Sequence, residues 1–97
     1  MATAVDRAMR DVGASVSSWR KLRRLTQAEV ADRAGVAVTT VLRLEKGEGS
    51  TVENLLKIAR ALGVLDQLVA SLDPYSTDVG RLRANEQLPA RVRHPAS

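Results

Sequence analysis

Apolar residues recur along this chain at steps of three and four, and almost nowhere do they alternate with polar ones, so helices are predicted and strands are not. Val5, Ala8, Met9, Val12, Val16 and Trp19 form one stripe on a first helix expected from about Ala4 to Arg23. Gly13 interrupts it. Glycine inside a helix costs about 1 kcal/mol relative to alanine, so the stretch before Gly13 is expected to fray or form a separate turn. Thr26, Gln27, Ala28 and Glu29 spell a capping box, in which hydroxyl and carboxylate each accept the other residue's backbone N–H, and a second helix therefore starts at Gln27. Val30, Ala31 and Ala34 give its inner stripe, and Gly35 stops it by taking the left-handed conformation that a Cβ resists. A third helix, VTTVLRLE, follows Ala37, with Val41 and Leu44 facing inward and Gly47 as its stop. Ser50, Thr51, Val52 and Glu53 repeat the capping-box pattern ahead of Val52, Leu55, Leu56, Ala59 and Leu62, which keep core spacing up to Gly63. Leu65, Leu68, Val69 and Leu72 form a last apolar stripe that ends before Asp73 and Pro74.

Five helices thus fill residues 4 to 72, and beyond them the character of the chain changes. All 3 prolines lie in residues 74 to 97, where periodic apolar character is slight. This reads as a tail, compatible with one short helix from about Thr77 to Gln87 that Gly80 weakens. The organisation predicted is an N-terminal extension of helix 1 in residues 1–13, an all-α domain in 14–72, and a basic, proline-containing tail in 73–97.

Composition then narrows the chemistry. A chain of 97 residues makes one domain at most. With no cysteine, disulfides, thiolate zinc sites and cysteine nucleophiles are excluded. The single histidine, His94, cannot build a histidine-based catalytic or metal cluster alone. No catalytic residue, metal or cofactor is therefore expected. Asp6 and Asp11 break what a signal core requires, and no stretch approaches the roughly 18 apolar residues of a membrane span; neither export nor membrane insertion is expected, and a cytoplasmic location fits. The net charge of +4 and sequence pI near 10.3 favour a polyanionic partner. Its positive side is concentrated early, in Arg7, Arg10, Arg20, Lys21, Arg23 and Arg24 against Asp6 and Asp11. Only Trp19 and Tyr75 are aromatic, too few rings for the stacking platforms that bind single strands, so duplex DNA is the better match.

Two helices joined by about four residues with a glycine in the turn are the helix-turn-helix unit, here residues 27 to 45, whose second helix enters the DNA major groove. At this point LTQAEVA, then AGV, then TVLRLEKG resembles the helix-turn-helix domain of the XRE/Cro type, shared by many phage repressors and antitoxins. The likeness spans about residues 14 to 72 and rests on several spaced positions together: Arg20, the Thr26-Gln27 pair, the turn glycine, the Glu45-Lys46-Gly47 ending and the apolar helix beyond. It implies a five-helix lambda-repressor-like fold, and it implies roles. The residue matching Gln27 touches phosphate or a base edge, and those matching Val38, Thr39 and Arg43 face the groove. Arginine can bond guanine O6 and N7 together, threonine can bond a base or meet the thymine methyl, and valine offers apolar contact only. Thr40 and Lys46 would serve phosphates, and Arg20 with Glu45 would form the family's internal ion pair.

The family implies a homodimer on a near-palindromic operator, since one such domain covers only a short half-site. Leu65, Leu68, Val69 and Leu72 are the expected dimer surface, with closure of the chain's own core as the competing role. Arg24 departs from the family, where glycine is common, and puts the turn geometry in question; Leu42 is apolar on a face commonly polar. The tail, with GRLR and LPARVR, resembles those of HipB-like antitoxins, which pair with HipA-like toxin kinases. Three functions follow: an autoregulating repressor that is the antitoxin of a type II pair, a stand-alone XRE-type repressor, or a protein-interaction module that has lost DNA binding.

Overall fold

Threonine starts three helices of the first 66 residues. The hydroxyls of Thr3, Thr26 and Thr51 each accept the backbone N–H three residues on, from Asp6, Glu29 and Asn54, all at 3.0 Å. The Asp6 and Glu29 carboxylates return the bond to the threonine N–H at 3.1 and 2.8 Å, completing two capping boxes. The computed structural model describes residues 2–83, and all their regular structure is helical. Helices α1 (Ala4–Leu22), α2 (Gln27–Ala34), α3 (Val38–Glu45), α4 (Val52–Leu62) and α5 (Leu65–Leu72) follow in order, then a 3-10 turn (Pro74–Ser76) and α6 (Asp78–Arg83). The chain divides into a unit reaching Asp66 and another beginning at Gln67.

In the first unit α2 packs on both α3 and α4, and α1 lies along α3. Val16, Leu25, Val30, Ala31, Ala34, Val41, Leu44, Ile58 and Leu62 form the core, with Trp19, Val36, Leu55 and Val64 packed around it. Three positions differ from the sequence expectation. The fourth helix is capped one residue later, by Thr51 with Asn54 as its partner, so Glu53 makes no reciprocal box. That register sends Val52 outward, 71% exposed, and puts Ile58 wholly inside. Leu55, Ile58, Ala59 and Leu62 are the true inward stripe.

Gly13 is the third correction. Helix α1 runs unbroken through it, and Gly13 is buried. An ideal Cβ there would fall 2.8 Å from the Glu45 carbonyl oxygen and closer still to that of Leu44. The glycine therefore marks the place where α1 crosses the backbone at the end of α3 with no room for a side chain, and the packing gained offsets its poor helix propensity. Arg24, by contrast, keeps the turn after α1 by accepting φ +58°, a left-handed conformation that costs an arginine about 1 kcal/mol or more.

In the second unit Asp73 caps the 3-10 turn through a 2.9 Å bond from the Tyr75 N–H, and Thr77 accepts the Gly80 N–H at 2.9 Å to start α6. Helix α6 covers the described part of the expected Thr77–Gln87 helix; the remainder, like the rest of the basic tail, lies outside the described residues.

Replacing Gly13 with alanine separates the two effects by sign. Helix propensity alone would stabilise the protein by about 1 kcal/mol. The close approach predicts instead a loss of about 1 to 3 kcal/mol, the usual cost of overpacking, read as a lower urea midpoint.

Candidate nucleic-acid interface

The interface begins at a turn. Gly35 takes φ +72° and donates its N–H toward the Ala31 and Asp32 carbonyls, while the Val36 N–H reaches Ala31 O at 3.0 Å. Val36 is drawn against the core, Ala37 is extended, and α3 starts across α2. Val41 and Leu44, 0% and 3% exposed, bind α3 to the core by its inner side. Its other side is left open: Thr39, Arg43 and Lys46 are exposed at spacings of four and three, and Val38 is 41% exposed beside them. Neither Arg43 nor Lys46 makes a side-chain ion pair or hydrogen bond among the described residues. Thr40 is half-buried at the edge of this surface, as is Leu42. Unlike α1, α2 and α4, α3 has no side-chain cap, because Ala37 has no acceptor to offer its first N–H groups.

Behind this surface lies a polar cluster. Arg20 grips Glu45 with two bonds, Nε to Oε2 at 2.7 Å and Nη2 to Oε1 at 3.1 Å, and gives Nη1 to the Leu25 carbonyl at 3.0 Å. Both side chains are mostly removed from water, 13% and 7% exposed. Gln27 joins them, its Nε2 donating to Glu45 Oε1 at 3.0 Å. Burial pushes the Glu45 carboxyl upward, but the bonds from Arg20, Gln27 and Ser17 and the charge of Arg20 together hold it below its ordinary value of 4.5. The bond to Glu45 raises the Arg20 guanidinium against its desolvation. The pair implied by the family likeness is therefore present, and it ties the end of α1, the start of α2 and the end of α3 together.

The sequence candidates are only partly brought together. Thr39, Arg43 and Lys46 share one face with Val38 near its start; Gln27 stands at the start of α2 with part of its amide engaged by Glu45. The basic run of residues 20–24 is not one patch. Arg20 is turned inward, and Arg23 lies over Trp19, 5.4 Å from the ring centroid, while its Nε donates to Leu62 O at 3.1 Å. Arg23 thereby closes the C-terminal end of α4, a role that nothing in its sequence spacing signals. Among the proposed dimer residues, Leu65 and Leu68 are half-buried, whereas Val69 and Leu72 are 57% and 84% exposed. Among the described residues no acidic or histidine cluster suits a metal, and no helix is long and apolar enough to cross a membrane.

A short uncapped helix held across another, with its polar edge outward, defines a helix-turn-helix protein. The helix-turn-helix family profile matches residues 16–65, half of the chain, and the chain belongs to this family, of the XRE type. It is also similar to the cryptic phage CTXphi transcriptional repressor RstR of Vibrio cholerae, with 44% identity over 80 residues, which cover 80% of this chain. The match spans 64% of that repressor's length. No solved structure matches the chain significantly.

Because Glu45 titrates lower in the folded protein than in the unfolded chain, its pairing contributes stability above about pH 4.5, and that contribution is lost as pH falls through the folded value. The stability difference between wild type and Glu45→Gln, measured by urea unfolding, is expected to be largest near neutral pH. It should shrink as pH is lowered below about 4.5 and through the folded value.

Proposed function

We propose that the chain is a transcriptional repressor that binds double-stranded operator DNA by laying the outer face of α3 in the major groove. The observation that carries this reading is the exposed edge of α3, where Thr39, Arg43 and Lys46 have no side-chain partner among the described residues while the opposite side is locked into the core. Arg43 is placed to bond a guanine edge and Thr39 to meet a neighbouring base, with Val38 adding apolar contact. Lys46, Thr40 and the open N-terminus of α3 hold phosphates, and Gln27 reaches the duplex from the start of α2. The family membership and the likeness to a phage repressor both support this assignment.

A single α3 reads only a few base pairs, so selective binding calls for two copies on a two-fold operator. We place the homodimer contact on α5, where Val69 and Leu72 carry the most exposed apolar surface of that helix. The repressor reading does not need a HipA-like toxin kinase, and the comparisons favour a repressor over the antitoxin role suggested by the tail.

Two substitutions test the assignment by gel shift on DNA upstream of the chain's own gene. Arg43→Ala is expected to lose about 1 to 3 kcal/mol of discrimination at one base position of each half-site. Lys46→Ala should weaken binding to all sequences alike and lower the salt slope by about 1. If neither change affects binding, α3 is not the reading helix.

A further inference from the structure

Helix α1 begins well before the family match, which starts at residue 16, so residues 4–15 stand outside it. This segment is firmly seated all the same. A Cβ on Gly47 would fall 2.9 Å from the Arg10 Cα, one on Gly49 would fall 3.1 Å from the Met9 Cε, and Gly13 lies against the end of α3. The added turns are therefore held against α3 and the loop that follows it, yet their apolar stripe is uncovered. Ala4, Val5, Ala8 and Val12 are all exposed, Val5 at 67%, and Val52 at the start of α4 is 71% exposed. These residues line one groove of about 370 Å³ that Leu44 and Leu55 share, wholly within the unit that ends at Asp66.

The hydroxyls of the groove are already engaged: Ser50 Oγ donates to Thr51 O at 2.8 Å, and Thr51 Oγ1 accepts the Asn54 N–H at 3.0 Å. What remains is aliphatic surface, and a contiguous apolar patch left open marks a place of contact. Two observations name its occupant. A standard interface takes about 20 to 30 residues from each side, and α5, an 8-residue helix whose exposed large apolar side chains are Val69 and Leu72, falls short of that. The exposed stripe of α1 is also self-complementary. Small Ala8 lies between Val5 and Val12, so two α1 helices related by a two-fold axis near Ala8 each set valines against the other's groove. We infer that the groove between α1 and α4 is a second interface between copies of this chain, an isologous contact in which residues 4–12 of one copy cover those of another. It adds to the α5 contact a surface on the unit that carries α3, and it does not depend on the operator-binding reading.

The test is sedimentation equilibrium of the full chain without DNA, for wild type, Val5→Asp, Val52→Asp and Leu72→Asp, with helicity followed by circular dichroism. Val5 and Val52 are exposed and stand in the first turns of α1 and α4, where an added carboxylate suits the helix dipole, so both variants should fold. Each is expected to raise the dissociation constant of self-association about tenfold or more, because a charge replaces a valine that the contact buries. Leu72→Asp reports separately on α5. The inference is overturned if either folded groove variant associates as wild type does, or if wild type is monomeric at every concentration tested. A small apolar molecule as the true occupant would give that unchanged association together with loss of binding of the probe N-phenylnaphthylamine, and it too would overturn the inference. If one groove variant does not fold, the other decides the point. Gel shifts that persist while the groove variants associate normally would remove this interface and leave the operator-binding reading standing.

Discussion

The part-buried contact between Arg20 and Glu45 is the constraint on which the architecture rests. The hydrophobic core fixes which faces of α1, α2 and α3 turn inward, but apolar contact is non-directional and tolerates sliding. A bidentate guanidinium and carboxylate does not, because its two parallel bonds have one good geometry. Here they join the end of α1 to the end of α3, with Leu25 and Gln27 tied in from the connecting turn and α2. Desolvating both charges has a cost, offset only when every polar atom is matched. That condition is met: no buried side-chain nitrogen or oxygen among the described residues lacks a partner.

Close packing of α1 on α3 supplies the second fixed point. At Gly13 the helix backbone comes against the carbonyls that end α3, so the two helices meet at a small-residue crossing on one side and at an ion pair on the other. Between them these contacts set the position of a helix only 8 residues long, which by itself would be marginal in water. Tertiary contacts, not local propensity, hold α3 in place.

Much of this was legible in the order of residues. Thr26 and Glu29 announced α2 by local capping chemistry, Gly35 announced its end, and the inward side of α3 followed from the spacing of Val41 and Leu44. Where the reading failed, the deciding force was long-range. Gly13 looked like a weak point because helix propensity is a local quantity, whereas its role depends on the α3 carbonyls some thirty residues away. Ser50 and Glu53 mimic a box and so point to a stripe that starts at Val52; the actual register, set by Thr51, leaves Ile58 at the centre of the core. The candidate site shows the same division. The outward set of Thr39, Arg43 and Lys46 follows from helical spacing within one segment. The inward use of Arg20 and Arg23, and the engagement of Gln27 by Glu45, required knowing what stands opposite.

The missing cap at Ala37 has one further meaning. Every other long helix of the first unit is finished by the polypeptide itself, through a threonine oxygen that answers its leading N–H groups. Helix α3 is left incomplete at that end, so an incoming phosphate would do for it what Thr26 does for α2. In that arrangement the nucleic acid becomes part of the secondary structure, and folding and recognition share a single terminus.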